Sequence, residues 1–210
     1  MPTCYPEVHM KKIITIGREF GSGGREFGRR LAEALEIEYY DKEILTAIAN
    51  HTSLSEEYVQ QVVEHRQHCL YPITVGRSIS YADDYLFRQT QSVYQAQCEI
   101  IKDLAEKSSC VIVGRCADYI LRDYSPYRFF IYADMDSRIK RCIIRNSGDE
   151  TYTEKEMKKH IQQIDRDRAK YYSFYTGRKW GEKKNYDLCL NTTGVEIREV
   201  VPAIAKIFQD

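Results

Sequence analysis

Five short apolar runs punctuate this 210-residue chain, and helical patterns fill the intervals between them. Ile13–Gly17, Glu38–Asp41, Cys110–Gly114, Phe129–Ala133 and Tyr186–Leu190 are rich in β-branched and aromatic residues and predict buried strands. Phe27 to Leu35 reads as a helix, and Val93, Gln97, Ile100, Ile101 and Leu104 recur at helical spacing ahead of the third strand. Thr153-x-x-Glu156 spells a capping box opening a helix with Met157, Ile161 and Ile164 on one face. Thr193-x-x-Glu196 predicts the same device before a last helix through Val200 and Ile204. Strands alternating with helices imply an α/β fold with a mostly parallel sheet and right-handed crossovers. No repeat or low-complexity linker divides the chain, which predicts one domain over residues 1–210. Residues 66–92, a polar mix with Pro72 and Gly76, read as an insertion or a contact between copies.

The first strand runs into Gly17-Arg18-Glu19-Phe20-Gly21-Ser22-Gly23-Gly24-Arg25-Glu26, and a helix follows. A strand, a glycine-rich turn and a helix N-terminus together make an anion site, because backbone N–H groups converge there and the helix dipole favours negative charge. Gly17, Gly21, Ser22, Gly23, Gly24 and Arg25 are therefore the candidate phosphate-binding residues. A Walker A loop also places Lys on the terminal phosphates and a hydroxyl on Mg²⁺. Here Gly24 or Arg25 stands in the lysine slot, and Arg25 or Glu26 in the hydroxyl slot.

Ligands of open parallel sheets lie beyond the carboxyl ends of the strands. Asp41 ends the second strand, where it either orients a substrate hydroxyl or caps the next helix. Arg115 follows the apolar third strand, free to fork onto phosphate oxygens or to pair with Asp118 or Asp123. In the helix from Thr153, the stripe through Met157, Ile161 and Ile164 continues to Arg168 and Tyr171, so Arg168 lies in the inward seam and either meets a phosphate, pairs with Asp165 or snorkels to solvent. Arg166 and Lys170 share an adjacent face. Tyr171, Tyr172 and Tyr175 suit a core or interface better than base stacking. His65 and His68 have ligand types at helical spacing, but without further clustered Cys or His no metal site is expected.

Charge sharpens this picture. The 31 basic and 31 acidic residues cancel, which disfavours bulk nucleic-acid binding, yet Arg138 to Lys184 hold fourteen Lys/Arg against seven Asp/Glu. That asymmetry suits a phosphorylated small ligand gripped from one side. Seven scattered cysteines without a Cys-x-x-Cys pair, several in apolar runs, fit a reducing compartment. No apolar run reaches membrane-spanning length, so a cytoplasmic protein without a membrane partner is expected.

With these residues placed, the chain resembles the cytidylate kinase-like family of P-loop proteins from Lys12 to about Phe208. Gly21 to Glu26, Tyr39 to Glu43, Val113 to Asp118, Arg168 to Tyr172, Tyr175-Thr176-Gly177 and Trp180-Gly181 carry the resemblance. It implies a three-layer P-loop NTPase or nucleoside monophosphate kinase-like fold, with a five-stranded parallel sheet flanked by helices. It also implies transfer of a phosphoryl group from ATP, with Mg²⁺, to an acceptor such as CMP or dCMP. The glycine loop would hold the donor, Arg115 with Asp41 and Lys170 the acceptor, and Arg115, Arg166 and Arg168 would serve catalysis; with the loop lysine missing, Arg25 or Arg168 is expected to supply its charge, Arg25 favoured by proximity. A mobile lid would span 160–180. The chain departs from the family pattern at the loop lysine and hydroxyl, and at Val113, where true cytidylate kinases carry Asp.

Two other readings compete. A nucleotide-binding regulator on the same fold follows from the missing lysine. A short-chain dehydrogenase follows from Gly17-x-x-x-Gly21-x-Gly23, with Tyr175-x-x-x-Lys179 as its catalytic pair, although Gly177 interrupts that pair's helix.

Overall fold

The computed structural model describes residues 11–65, 81–145 and 152–208, with side chains described at all of these except 64–65 and 81–87. Five strands form one parallel sheet in the order β2-β3-β1-β4-β5: β1 (Ile13–Arg18), β2 (Glu38–Tyr40), β3 (Cys110–Val113), β4 (Tyr127–Tyr132) and β5 (Leu188–Asn191). The expected strands are all present. The last begins at Leu188 rather than Tyr186, because Tyr186 ends a short 3₁₀ turn over Lys183–Asn185.

Both faces of β1 are covered, as a central parallel strand requires. Ile14 and Ile16 join Val111, Val113, Phe27 and Leu31 under helices α1 (Gly24–Leu35) and α8 (Ile197–Ala205). Ile13 and Ile112 face the opposite side, against α2 (Glu43–Thr52), α3 (Glu56–Gln60) and α4 (Tyr81–Lys107). The short α5 (Ala117–Ile120) follows β3. A third cluster, Ile139, Met157 and Ile161, joins α6 (Met135–Arg145) to α7 (Glu154–Thr176).

The Thr153 capping box forms as the sequence predicts, with both reciprocal bonds to Glu156. The one expected at Thr193 does not. The N-cap of α8 is Glu196, while Thr193 Oγ1 accepts from the Asp134 amide at 2.8 Å. A tertiary donor just past β4 has claimed the hydroxyl. Of the 66–92 stretch read as an insertion or a contact between copies, residues 81–92 belong to α4, and 66–80 lie outside the described residues. His68 of the His65/His68 pair lies outside the described residues too. No helix among the described residues is long and apolar enough to cross a membrane.

Candidate functional site

The glycine loop is clamped by side chains from three elements. The Phe20 amide donates to Asp165 Oδ1 of α7 at 2.8 Å, and its carbonyl accepts from Arg138 Nε of α6 at 2.7 Å. Arg138, only 4% exposed, also pairs with Glu19 at 3.1 Å and closely with Asp165. Burial pushes the Glu19 carboxyl up, with Arg138 opposing. Ser22 is buried: its hydroxyl donates to the Glu19 carbonyl at 2.8 Å, and its own carbonyl accepts from Thr192 Oγ1 at 2.7 Å and Arg141 at 3.3 Å. The loop is thus set by partners behind it. In front, Gly23 lies in the left-handed region at φ 83° as the N-cap of α1, and no side chain caps that helix. The first N–H groups of a helix have no intrahelical acceptor, and here they open onto a cleft.

That cleft has a volume of about 260 Å³ and is lined by Gly21, Gly23, Gly24 and Arg25, together with Arg141 and Arg145 of α6 and His160 of α7. A smaller cleft of about 50 Å³ lies toward β3, between Gly17, Gly114, Arg115, Asp118, Tyr171, Tyr172 and Trp180. Arg18 and Arg168 line both. Arg168 Nη1 donates to the Arg18 carbonyl at 3.3 Å, and its guanidinium lies 5.5 Å from the Phe20 ring centre. Burial, and then the like charge of Arg168, hold Arg18 well below the usual guanidinium range. Asp41 opposes that shift, while Arg115 and Arg25 add to it. A basic group disfavoured in this way is one that a bound anion would relieve.

Asp41 is buried just past β2 and neither caps α2, whose N-cap is Lys42, nor faces open solvent. It receives Arg25 at 2.5 Å and lies 3.9 Å from Arg18. Arg115 is buried with φ 59°, in a left-handed run with Gly114 and Cys116, and its carbonyl accepts from Gln97 of α4 at 2.9 Å. Gln97 in turn accepts from Tyr171, and Tyr172 donates to Asp118 at 2.6 Å. Tyr175 stacks on Tyr94 with ring centres 3.7 Å apart. The tyrosines build core, as the sequence predicts, and Tyr171 and Tyr172 also form pocket wall, which it did not.

Structure and sequence agree in bringing the glycine loop, Arg25, Asp41, Arg115 and Arg168 together. They differ at Arg166 and Lys170, which are exposed on α7 and line neither cleft; Arg166 donates to Gln163 at 2.7 Å. Both sit off the inward stripe, so their helix face turns to solvent. Arg138, Arg141, Arg145 and His160 escaped the sequence reading as site residues. Only the regional charge excess pointed toward them, because nothing in a helix of mixed charge marks which side faces a loop.

The sequence profile of the cytidylate kinase-like family matches residues 13–194. The chain belongs to this family. No curated protein is significantly similar to it. Among solved structures, an uncharacterized protein from Eubacterium ventriosum is 30% identical, with a TM-score of 0.67 over 95% of this chain and 99% of the other. Shikimate kinase from Bacteroides thetaiotaomicron is 13% identical with a TM-score of 0.55, over 95% and 99%. Shikimate kinase from Acinetobacter baumannii, in complex with shikimate, is 12% identical with a TM-score of 0.53, over 95% and 93%. Those two likenesses establish the P-loop kinase fold. With family membership, they leave the dehydrogenase reading without support; α7 also ends at Thr176, before Lys179.

Proposed function

We propose that this cytidylate kinase-like protein is a small-molecule kinase that transfers the terminal phosphoryl group of ATP, bound along the larger cleft, to an acceptor entering the smaller one. Nucleoside monophosphates, CMP and dCMP first, are the acceptors the family suggests. The observation that carries the reading is that the two clefts share Arg18 and Arg168 in their walls. Phosphoryl transfer needs donor and acceptor oxygens brought into line and the charge on the moving group offset; positioning and electrostatics are nearly all the protein contributes.

The open N-terminus of α1 suits the donor phosphates. Arg115, in the wall of the smaller cleft, suits the acceptor phosphate, and Arg168 lines both clefts from α7. At about 50 Å³ the smaller cleft is far too small for a nucleoside. Acceptor entry then requires its walls to part, in keeping with a lid over 160–180.

These residues fit a polyphosphate. They fit a protein-held Mg²⁺ less well. Ser22 is fully buried with its hydroxyl turned to the Glu19 carbonyl, the carboxylates Glu19, Asp41 and Asp165 each pair with arginine, and no group of three potential metal ligands gathers among the described residues. The roles assigned above involve no metal.

The test is turnover by the purified protein with Mg²⁺-ATP and CMP, dCMP, UMP or AMP. Acceptor-dependent ADP release supports the kinase. Tight nucleotide binding with no turnover on any acceptor replaces it with the regulator.

A further inference from the structure

Two glycines touch opposite ends of one side chain. A Cβ added to Gly24 would lie 2.5 Å from Arg18 Cβ and 3.1 Å from its Cγ. One added to Gly114 would lie 1.8 Å from Arg18 Nη1. Arg18 therefore runs from the end of β1 across the bare Cα of the first residue of α1, and its guanidinium rests on the bare Cα of the residue after β3. Gly114 also needs its freedom at φ 76°; Gly24 needs the space alone. The arginine so channelled lines both clefts and lies 3.9 Å from Asp41.

In a standard phosphate loop the terminal phosphates are met by a lysine at the start of the helix. That position is Gly24 here, and Arg25 beside it is committed to Asp41 at 2.5 Å with its side chain 43% exposed. We propose that Arg18 takes the lysine's place, gripping the donor's terminal phosphates from the strand side, and that Gly24 and Gly114 are glycine because they form its channel. The assignment rests on the kinase reading of the two clefts. A guanidinium is long and planar, so it reaches phosphate oxygens from a displaced backbone position and engages two of them at once. It forms no bond to the transferred group; it offsets charge on that group's oxygens.

Three variants test this. Arg18→Met keeps the stem over Gly24 and removes the charge. Gly24→Lys restores the motif residue but drives its Cβ into Arg18. Arg18→Gly combined with Gly24→Lys clears that collision and returns a cation from the helix side. Each is titrated calorimetrically with ATP and ADP, because a phosphate grip acts on the difference between them, whereas a purely structural role weakens both alike. The wild type is expected to prefer ATP, Arg18→Met to lose that preference by about tenfold or more, and kcat, where turnover occurs, to fall about a hundredfold. The double variant recovers the preference relative to either single change. Arg18→Met discriminating like the wild type, a wild type with no preference for ATP, or a double variant no better than both singles overturns the assignment. A wild type that binds ATP in this Arg18-dependent way yet transfers nothing leaves Arg18 in place and removes the kinase.

Discussion

Replacing Asp41 by Asn keeps the shape of a buried carboxylate and deletes its charge. Asp41 is 4% exposed, 2.5 Å from Arg25 and 3.9 Å from Arg18. The two arginines respond differently. Arg25 is 43% exposed, so it turns to solvent, and its lost pair is worth under about 1 kcal/mol. Arg18 is 11% exposed and stays behind with Arg168 and Arg115 beside it. Stranding a buried charge costs about 3–5 kcal/mol, and the 3.9 Å separation argues for the lower end. A loss of about 3 kcal/mol lowers Tm by roughly 6–12 °C in a chain of this size. An anion then becomes the missing counter-charge. Pyrophosphate should stabilise Asp41→Asn by more than it stabilises the wild type, through mass action at a site freed of its internal competitor. Thermal melts of both proteins at pH 7, with and without pyrophosphate, measure each quantity. An unchanged Tm without anion, or equal pyrophosphate shifts, would refute the account of Asp41 as the resting counter-ion of the site.

Tyr172→Phe removes the 2.6 Å donor to buried Asp118 and is expected to lose about 1–3 kcal/mol at neutral pH. Burial raises the Asp118 pKa above its unfolded value, with Tyr172 opposing, so the stability this group contributes is full below the ordinary aspartate range and is lost as pH rises through its folded value. The deficit of the Phe variant should therefore shrink in acid, and urea unfolding on both sides of that range showing an equal deficit would count against it. Hydrogen exchange across 160–180 is expected to slow on adding ATP, most over 160–170, since Tyr171 and Tyr172 are already anchored in the core beneath β3. Exchange that is slow and insensitive to ATP across the segment removes the lid.

The glycine loop was legible because its signal is local. A β-branched strand, closely spaced glycines and a helix lie within one short stretch, and backbone geometry alone turns that order into an anion site. Arg115 and Asp41 were legible for a topological reason, since both follow strands of one parallel sheet and must emerge on the same edge. Arg168 was found by continuing an apolar stripe to its first charged member. That reasoning did not reach Arg166 and Lys170, where charge density suggested a shared task and helix phase turns both to solvent. Sequence reasoning failed at Thr193, where a local capping pattern lost to the Asp134 amide.

By itself, then, the sequence determined the strands, the alternation with helices and the edge of the sheet where the site lies, because these follow from hydrophobic periodicity and from residues near one another in the chain. Which arginines line both clefts is a different kind of fact. Arg25 is nearest to the empty lysine slot in sequence, yet Asp41 draws it aside, while Arg18 is threaded past Gly24 to Gly114. Only the tertiary structure decided this. The space for a long side chain is set by the Cα atoms it passes, and those belong to segments that meet only when β1 and β3 pair.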